Sequence, residues 1–187
     1  SLLSLEAYAR ERNAYRARVI AHKKLRTVHV GGHVTLIFED EQTVRYQVQE
    51  MLRIERIFES EGIRGELEAY NPLIPDGRNW KATLLIEYPD EGERRLALGR
   101  LRGLEHRVWM RIGTLDPVFA IADEDMDRAN DAKTSAVHFL RLELPAAAIQ
   151  ALRAGAGVSA GVDHPQLTVH VDSIPELLRE SLIADLA

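Results

Sequence analysis

The sequence contains no cysteine, which excludes disulfide bonds, cysteine-ligated Fe–S clusters, thiolate zinc sites and a cysteine nucleophile. Any bound metal would therefore be held by histidine, aspartate and glutamate. The chain also lacks an apolar run near the roughly 20 residues that a membrane-spanning helix needs. Its first residues lack the basic and long apolar regions of a signal peptide. We therefore expect a cytoplasmic protein without a membrane partner.

The composition is that of a globular protein, with 45% hydrophobic and 28% charged residues among 187. No repeat, linker or low-complexity stretch divides the sequence. A chain of this length can bury one sizeable core. We therefore predict a single domain over residues 1–187.

The net charge of −5 is unevenly distributed, because residues 1–26 carry seven Lys/Arg and two Glu and so leave −10 on the remainder. A basic first helix can bind nucleic acid. However, this helix also has an apolar stripe of Leu5, Tyr8, Tyr15 and Val19, and no nucleic-acid-reading motif accompanies it. We therefore expect the stripe to pack against the protein's own acidic body or a second copy of the chain, and we expect no nucleic-acid partner. The side chains expected in water are Arg10, Arg16 and Arg18.

Hydrophobic periodicity predicts an α+β fold: mainly antiparallel sheet of six to eight short strands, with helices at the N-terminus, in the middle and at the C-terminus. The predicted strands are His33–Phe38, Thr43–Gln49, Ala82–Tyr88, Arg107–Ile112, Val118–Ile121, Ala136–Leu144, Val158–Val162 and Leu167–Val171. The predicted helices are Leu5–Lys24, Met51–Ser60, Arg64–Tyr70, Asp90–Leu101, Pro145–Arg153 and a last helix opened by a capping box of Ser173 and Glu176. The acidic stretch Asp123–Asp131 is predicted as a loop or frayed helix. The expected core contains Leu36, Val44, Tyr46, Leu84, Ile86, Leu140 and Val169.

Four segments carry a resemblance to a known family: Gln47–Glu55, Ala69–Pro75, Ala82–Glu87 and Gly161–Pro165. Through them the chain resembles a bacterial domain-of-unknown-function family. Its members are often encoded beside rubrerythrin-like proteins and Fe–S proteins that resemble a heterodisulfide reductase subunit. The resemblance implies an Fe–S oxidoreductase or rubrerythrin-like partner and a role in oxidative stress or electron transfer. It names no reaction.

The first candidate site is the junction between the second predicted strand and the helix after it. Alternate strand residues share a face, so two glutamines would project together beside an acid, an arginine and a proline-stiffened loop. A structural interpretation is also open, because an acid near a helix start and an arginine one turn later pair without any ligand. The residues of this junction are Gln47, Gln49, Glu50, Arg53, Tyr70 and Asn71.

Histidines supply the second candidate. His164 lies beside Asp163 before a proline, where we expect an exposed turn and a carboxylate that can orient the imidazole or share a metal. Ordinary turn chemistry explains the same residues. His29 and His33 have a chelating spacing only on a helix, and the two glycines between them predict a turn. His138 falls on the apolar side of its strand and is predicted to be a hydrogen-bonded core residue.

Two hypotheses follow. The first is a non-catalytic accessory or interaction protein for a neighbouring redox system. The second is a small metal- or cofactor-binding enzyme that uses the junction and the histidines. The sequence identifies neither a catalytic residue nor a particular cofactor or metal.

Overall fold

The strands pair antiparallel throughout and build two sheets of four. The computed structural model describes residues 1–122 and 134–187, so the stretch Asp123–Asp131 lies outside the described residues. The strands are β1 (Thr27–Val30), β2 (Val34–Glu39), β3 (Asn79–Ile86), β4 (Val108–Ile112), β5 (Val118–Phe119), β6 (Val137–Glu143), β7 (Val158–His164) and β8 (Leu167–Val171). One sheet has the order β1-β2-β3-β6 and the other β5-β4-β7-β8. The predicted class and strand direction are confirmed.

Six α-helices lie at the start, middle and end of the described chain, as predicted. They are α1 (Leu5–Lys24), α2 (Glu41–Ile54), α3 (Ser60–Tyr70), α4 (Glu91–Arg100), α5 (Ala146–Arg153) and α6 (Glu176–Ile183), with short 3-10 turns at Asn71–Leu73 and Leu104–His106. None of these helices combines the length and apolar character that crossing a bilayer requires.

The apolar faces of both sheets contribute to one buried cluster. Trp80 of β3 is fully buried in it, and its indole Nε1–H donates to the carbonyl of Leu182 at 2.9 Å, which holds α6 against the sheet. Backbone hydrogen bonds between Ile121 and Arg141 join the two sheets beside β6. Of the predicted core residues, Leu36, Leu84, Ile86 and Leu140 are buried here and Val169 is half-buried against the cluster.

The predicted strand Thr43–Gln49 is wrong, because these residues belong to α2. Asp40 caps the helix: its Oδ1 accepts the N–H of Thr43 at 2.9 Å, and Thr43 Oγ1 accepts the N–H of Asp40 at 3.0 Å. Val44 and Val48 fit both a period of two and a spacing of four, so the short window did not separate the alternatives. The reciprocal cap starts a helix, and it moves Val44 and Tyr46 from the expected sheet to α2.

Two further corrections concern a strand that was not predicted and the start of the last helix. The prediction did not include strand β1. In the structure Val28 and Val30 are buried and His29 between them is exposed, which is the alternation of a strand. Gly31 has φ +69°, a left-handed conformation that allows the tight turn into β2. The predicted capping box at Ser173 does not form, because α6 begins at Glu176 with Pro175 at the cap position.

Helix α1 packs as its stripe predicts. Tyr8 and Val19 are buried, while Leu5 and Tyr15 are half-buried. Ser4 caps the helix by accepting the N–H of Ala7 at 3.2 Å. The three arginines expected in water are exposed: Arg10, Arg16 and Arg18.

Candidate functional site

The residues of the predicted junction do not form one group. On a helix, Gln47 and Gln49 lie about 200° apart around the axis, so they cannot share a face as they would on a strand. Gln47 is exposed, whereas Gln49 is buried and binds the backbone of Leu3. Its Oε1 accepts the Leu3 N–H at 2.6 Å, and its Nε2 donates to the Leu3 carbonyl at 3.3 Å.

Of the junction residues, Glu50 and Arg53 contact each other, within a group that we call the Glu50 cluster (Tyr8, Arg12, Glu50 and Arg53). Glu50 Oε1 accepts from the Tyr8 hydroxyl at 2.7 Å and from Arg12 Nε at 2.8 Å. Glu50 Oε2 accepts from Arg12 Nη2 at 2.9 Å and from Arg53 Nη2 at 3.2 Å. Each carboxylate oxygen therefore has two donors, and the cluster joins α1 to α2.

These donors set the proton affinities in the cluster. The hydrogen bonds from Arg12, followed by those from Tyr8 and Arg53, outweigh burial and lower the pKa of Glu50 to about 2. Burial and the bond to Glu50 raise the pKa of the Tyr8 hydroxyl. Glu50 is thus a permanently ionised acceptor near neutral pH, with its hydrogen-bonding capacity used inside the protein.

The other predicted site residues are separated from this cluster. Tyr70 is half-buried at the end of α3, and Asn71 is exposed in the 3-10 turn that follows. Asp163 is exposed at the end of β7, where it accepts from Arg107 Nη2 at 2.7 Å.

The expectation of an exposed His164 is wrong, because its neighbour Asp163 faces solvent while His164 itself is buried. Its Nδ1 accepts the N–H of Gln166 at 3.1 Å, so its Nε2 carries the proton that is donated to the Arg102 carbonyl at 2.9 Å. Nδ1 thus holds the β7–β8 turn, and Nε2 attaches this turn to the segment after α4, which favours the structural interpretation.

The remaining candidate histidines are also in structural contacts. His138 is buried and bonds to Thr134 Oγ1 at 2.7 Å, as predicted for a core residue. His29 and His33 flank the β1–β2 turn, and they contact Thr35 Oγ1 and the Glu87 carbonyl respectively. Within residues 1–122 and 134–187, no three His, Asp or Glu residues are grouped so that they could hold a metal ion.

An open cavity of about 590 Å³ lies where α1, the start of α2, the loop before β3 and the chain after α6 meet. We call it the polar cleft. Its volume falls within the range of about 300–1,000 Å³ that is usual for small-molecule sites. The residues that line it are Tyr15, Arg18, Val19, Asp40, Glu41, Gln42, Arg45, Ile74, Pro75 and Asp185.

Arg26 supports this cleft from inside the protein, where its side chain is 1% exposed. Its Nε donates to the Phe38 carbonyl at 2.9 Å, and its Nη1 donates to the carbonyl and hydroxyl of Ser181 at 3.1 and 3.0 Å. Its Nη2 donates to the Glu39 carbonyl at 3.2 Å and to Asp185 Oδ2. All five guanidinium N–H groups are thereby used, and the arginine fixes the ends of β2 and α6 around it.

Asp40 and Asp185 lie on either side of this arginine, and both reach the polar cleft. Arg26 Nε is 3.5 Å from Asp40 Oδ2, and His22 Nε2 is 2.5 Å from the same oxygen. With the Thr43 N–H on Oδ1, both Asp40 oxygens have partners. We call His22, Arg26, Asp40 and Asp185 the Arg26 cluster.

Asp185 differs from Asp40 because its Oδ1 has no hydrogen-bond partner among the described residues, although its side chain is only 10% exposed. Burial raises the pKa of Asp185 despite the opposing effect of Arg26. For Asp40, burial is outweighed by the Thr43 N–H, Arg26 and His22, which together lower its pKa. The pKa values of two neighbouring carboxyl groups are thus displaced in opposite directions.

The sequence prediction missed every member of the Arg26 cluster. The interval from Asp40 to Thr43 is that of a helix cap and was a usable signal for α2. Arg26 entered the prediction only as part of a charge sum. Nothing near Asp185 indicates that it meets Arg26, since 159 positions separate them.

The comparisons with known proteins place this architecture in a family. A family model described as "Protein of unknown function (DUF3501)" matches residues 1–186. A solved structure, described as a novel protein of unknown function from Burkholderia pseudomallei K96243, is 55% identical in sequence and has a TM-score of 0.95. That likeness covers 100% of this chain and 97% of the other. No curated protein matches.

Proposed function

We propose a function for this chain, which belongs to the DUF3501 family of proteins of unknown function, from the geometry of its polar cleft. The protein binds a small polar molecule there, and Asp185 exchanges a proton or a hydrogen bond with it. The observation that carries this proposal is Oδ1 of the largely buried Asp185, which has no hydrogen-bond partner in residues 1–122 and 134–187 and belongs to the wall of a cavity of about 590 Å³.

The hydrogen-bond geometry supports a ligand. A largely buried carboxyl oxygen needs a hydrogen-bond partner, and at the wall of an open cavity that partner is water or a ligand that replaces it. Arg26 holds Asp185 in place through Oδ2 and leaves Oδ1 available. Burial raises the pKa of Asp185, so this carboxyl group keeps its proton more readily than Asp40, whose pKa is lowered.

Two exposed glutamines of α2 provide a matched test, because Gln42 lines the polar cleft and Gln47 does not. We expect ligand-observed NMR to show saturable binding of at least one of three small probes: acetate, inorganic phosphate and methylammonium. Gln42→Trp should abolish this binding by filling the cleft, and Gln47→Trp should leave it unchanged. The proposal is wrong if no probe binds, or if Gln42→Trp has no effect.

A second candidate is an accessory role in the bacterial cytoplasm, beside an Fe–S oxidoreductase or a rubrerythrin-like protein. An apolar surface at the end of α2 supports it, because Ile54 is 56% exposed and Phe58 is 73% exposed. Exposed large apolar side chains that lie close together are typical of interaction sites.

The interaction candidate is tested by sedimentation velocity with a purified rubrerythrin-type protein. We expect a complex that Phe58→Ser weakens at least ten-fold. Leu96→Ser is the control, because Leu96 is 68% exposed on a different helix, α4. Absence of a complex at micromolar concentrations, or equal loss in both variants, would reject this candidate.

A further inference from the structure

A second cavity, of about 390 Å³, adjoins the polar cleft along α2. We call it the apolar cavity, because hydrocarbon side chains form most of its wall while Ser1, Glu41, Arg45 and Asn71 lie at its polar parts. The hydrocarbon side chains are those of Leu2, Val44, Val48, Leu67 and Ile74.

The two cavities are neighbours, because Glu41, Arg45 and Ile74 line both. The geometry of α2 explains why the wall is polar in one cavity and mainly apolar in the other. Glu41, Val44, Arg45 and Val48 follow one face of α2 at spacings of three and four. Glu41 and Arg45 form one row of this face and line both cavities, whereas Val44 and Val48 form the neighbouring row and line the apolar cavity alone.

Among the described residues, one arginine that lines the polar cleft has no carboxylate partner. Arg45 pairs with Glu41, and Arg26 pairs with Asp40 and Asp185. Arg18 has no carboxylate partner in the described ranges, and its guanidinium lies 5.5 Å from the centre of the Tyr15 ring. An anionic group on a ligand can therefore pair with Arg18, which is exposed and lines the cleft.

We propose, on the basis of the function proposed above, that the ligand is an amphipathic carboxylate. Its carboxylate lies in the polar cleft near Arg18 and shares a proton with Asp185, because two ionised carboxylates would repel each other there. Its hydrocarbon part passes Arg45 and Ile74 toward the apolar cavity. The polar cleft alone explains why a small molecule binds. The apolar cavity adds the class of molecule, because a purely polar ligand would leave its hydrocarbon wall unused.

The proposal is tested by varying the length of the hydrocarbon chain of the carboxylic acid and measuring its affinity. Each methylene transferred from water to an apolar wall is worth about four-fold in affinity. In calorimetric titrations with acetate, butyrate, hexanoate and octanoate, we expect affinity to rise about three- to four-fold per methylene until the cavity is full. Octylamine should bind at least ten-fold more weakly than octanoate.

Two variants test where the hydrocarbon part and the carboxylate of the ligand bind. Leu67→Trp should fill the apolar cavity and remove the dependence on chain length without changing acetate binding; the control is Leu177→Trp, on an exposed leucine of α6. Arg18→Gln should weaken every carboxylate about ten-fold, while Arg16→Gln, on an exposed arginine of the same helix, should not. Far-UV circular dichroism checks that each variant folds.

The outcomes separate this inference from the proposed function. If acetate binds in the polar cleft but longer acids bind no more tightly, the amphipathic ligand is wrong and the proposed function stands. If octylamine binds as tightly as octanoate, the carboxylate assignment is wrong. If no carboxylate, phosphate or ammonium probe binds, both proposals fail together.

Discussion

Two arginine–carboxylate clusters lie near opposite ends of α1, and they differ in what surrounds their carboxylates. In the Glu50 cluster, both oxygens of Glu50 are occupied by side-chain donors, and neither the polar cleft nor the apolar cavity includes Glu50 in its lining. In the Arg26 cluster, one oxygen of Asp185 has no partner in the part of the chain that the structure describes, and Asp185 lines an open cavity. The residue types are alike, so hydrogen-bonding capacity and access distinguish a structural contact from a candidate site.

The comparison also separates two pH responses. The pKa of Glu50 is lowered, so its stabilisation is present at neutral pH and is lost as the pH falls toward 2. The pKa of Asp185 is raised, so its contribution is largest at low pH and is lost as the pH rises through the folded-state pKa. Opposite signs make the two clusters distinguishable by unfolding measurements alone.

The largest expected effect is that of Arg26→Met. Removing the arginine leaves Asp185 and three backbone carbonyls without this donor and takes away the cation beside Asp40, so we expect the free energy of unfolding to fall by about 3–5 kcal/mol. Urea denaturation of this variant and of Arg16→Met, which removes an exposed arginine of α1, measures the difference. A loss below 1 kcal/mol would show that the Arg26 cluster does not hold the ends of β2 and α6 together.

Glu50→Gln should have an intermediate effect. The amide keeps one acceptor oxygen but loses the charge that Arg12 binds through two nitrogens, so we expect a loss of about 1–3 kcal/mol at pH 7. Because the wild-type pKa is about 2 instead of 4.5, the difference should shrink as the pH falls between these values. Binding in the polar cleft should not change. Glu6→Gln, an exposed carboxylate on α1, is the control, and equal losses in both variants would contradict the prediction.

Asp185→Asn should change stability least, by less than about 1 kcal/mol, because the amide oxygen still accepts from Arg26. The wild type should lose stability relative to this variant as the pH rises above the ordinary value of 3.8. Unfolding free energies between pH 4 and 7 measure this slope. The exposed Asp163→Asn serves for comparison, and parallel profiles for Asp185→Asn and the wild type would show that Asp185 does not hold its proton unusually well.

Regular elements were predictable where a local pattern had one interpretation. The span Leu5–Lys24 has a cap and a helical stripe, and its bounds agree with α1. The prediction of a strand from Thr43 to Gln49 was wrong because its two valines suit both a strand and a helix period. The cap formed by Asp40 decided in favour of the helix. Because this segment is a helix, Gln47 and Gln49 lie on different faces and the predicted junction does not form. Of its residues, Glu50 and Arg53 are in contact. The single-domain organisation stays a prediction.

The amino-acid sequence by itself determined the absence of cysteine chemistry, the α+β class, the antiparallel hairpins and the packing stripe of α1, because these follow from composition and from spacings within a few residues. Only the tertiary structure decided the polar cleft and the Arg26 cluster. Arg26 meets Phe38 across 12 positions and Asp185 across 159, and no local periodicity encodes such contacts. They arise because packing encloses Arg26 between the end of β2 and α6. An enclosed guanidinium must donate to hydrogen-bond acceptors, and these come from whichever chain segments packing brings within reach.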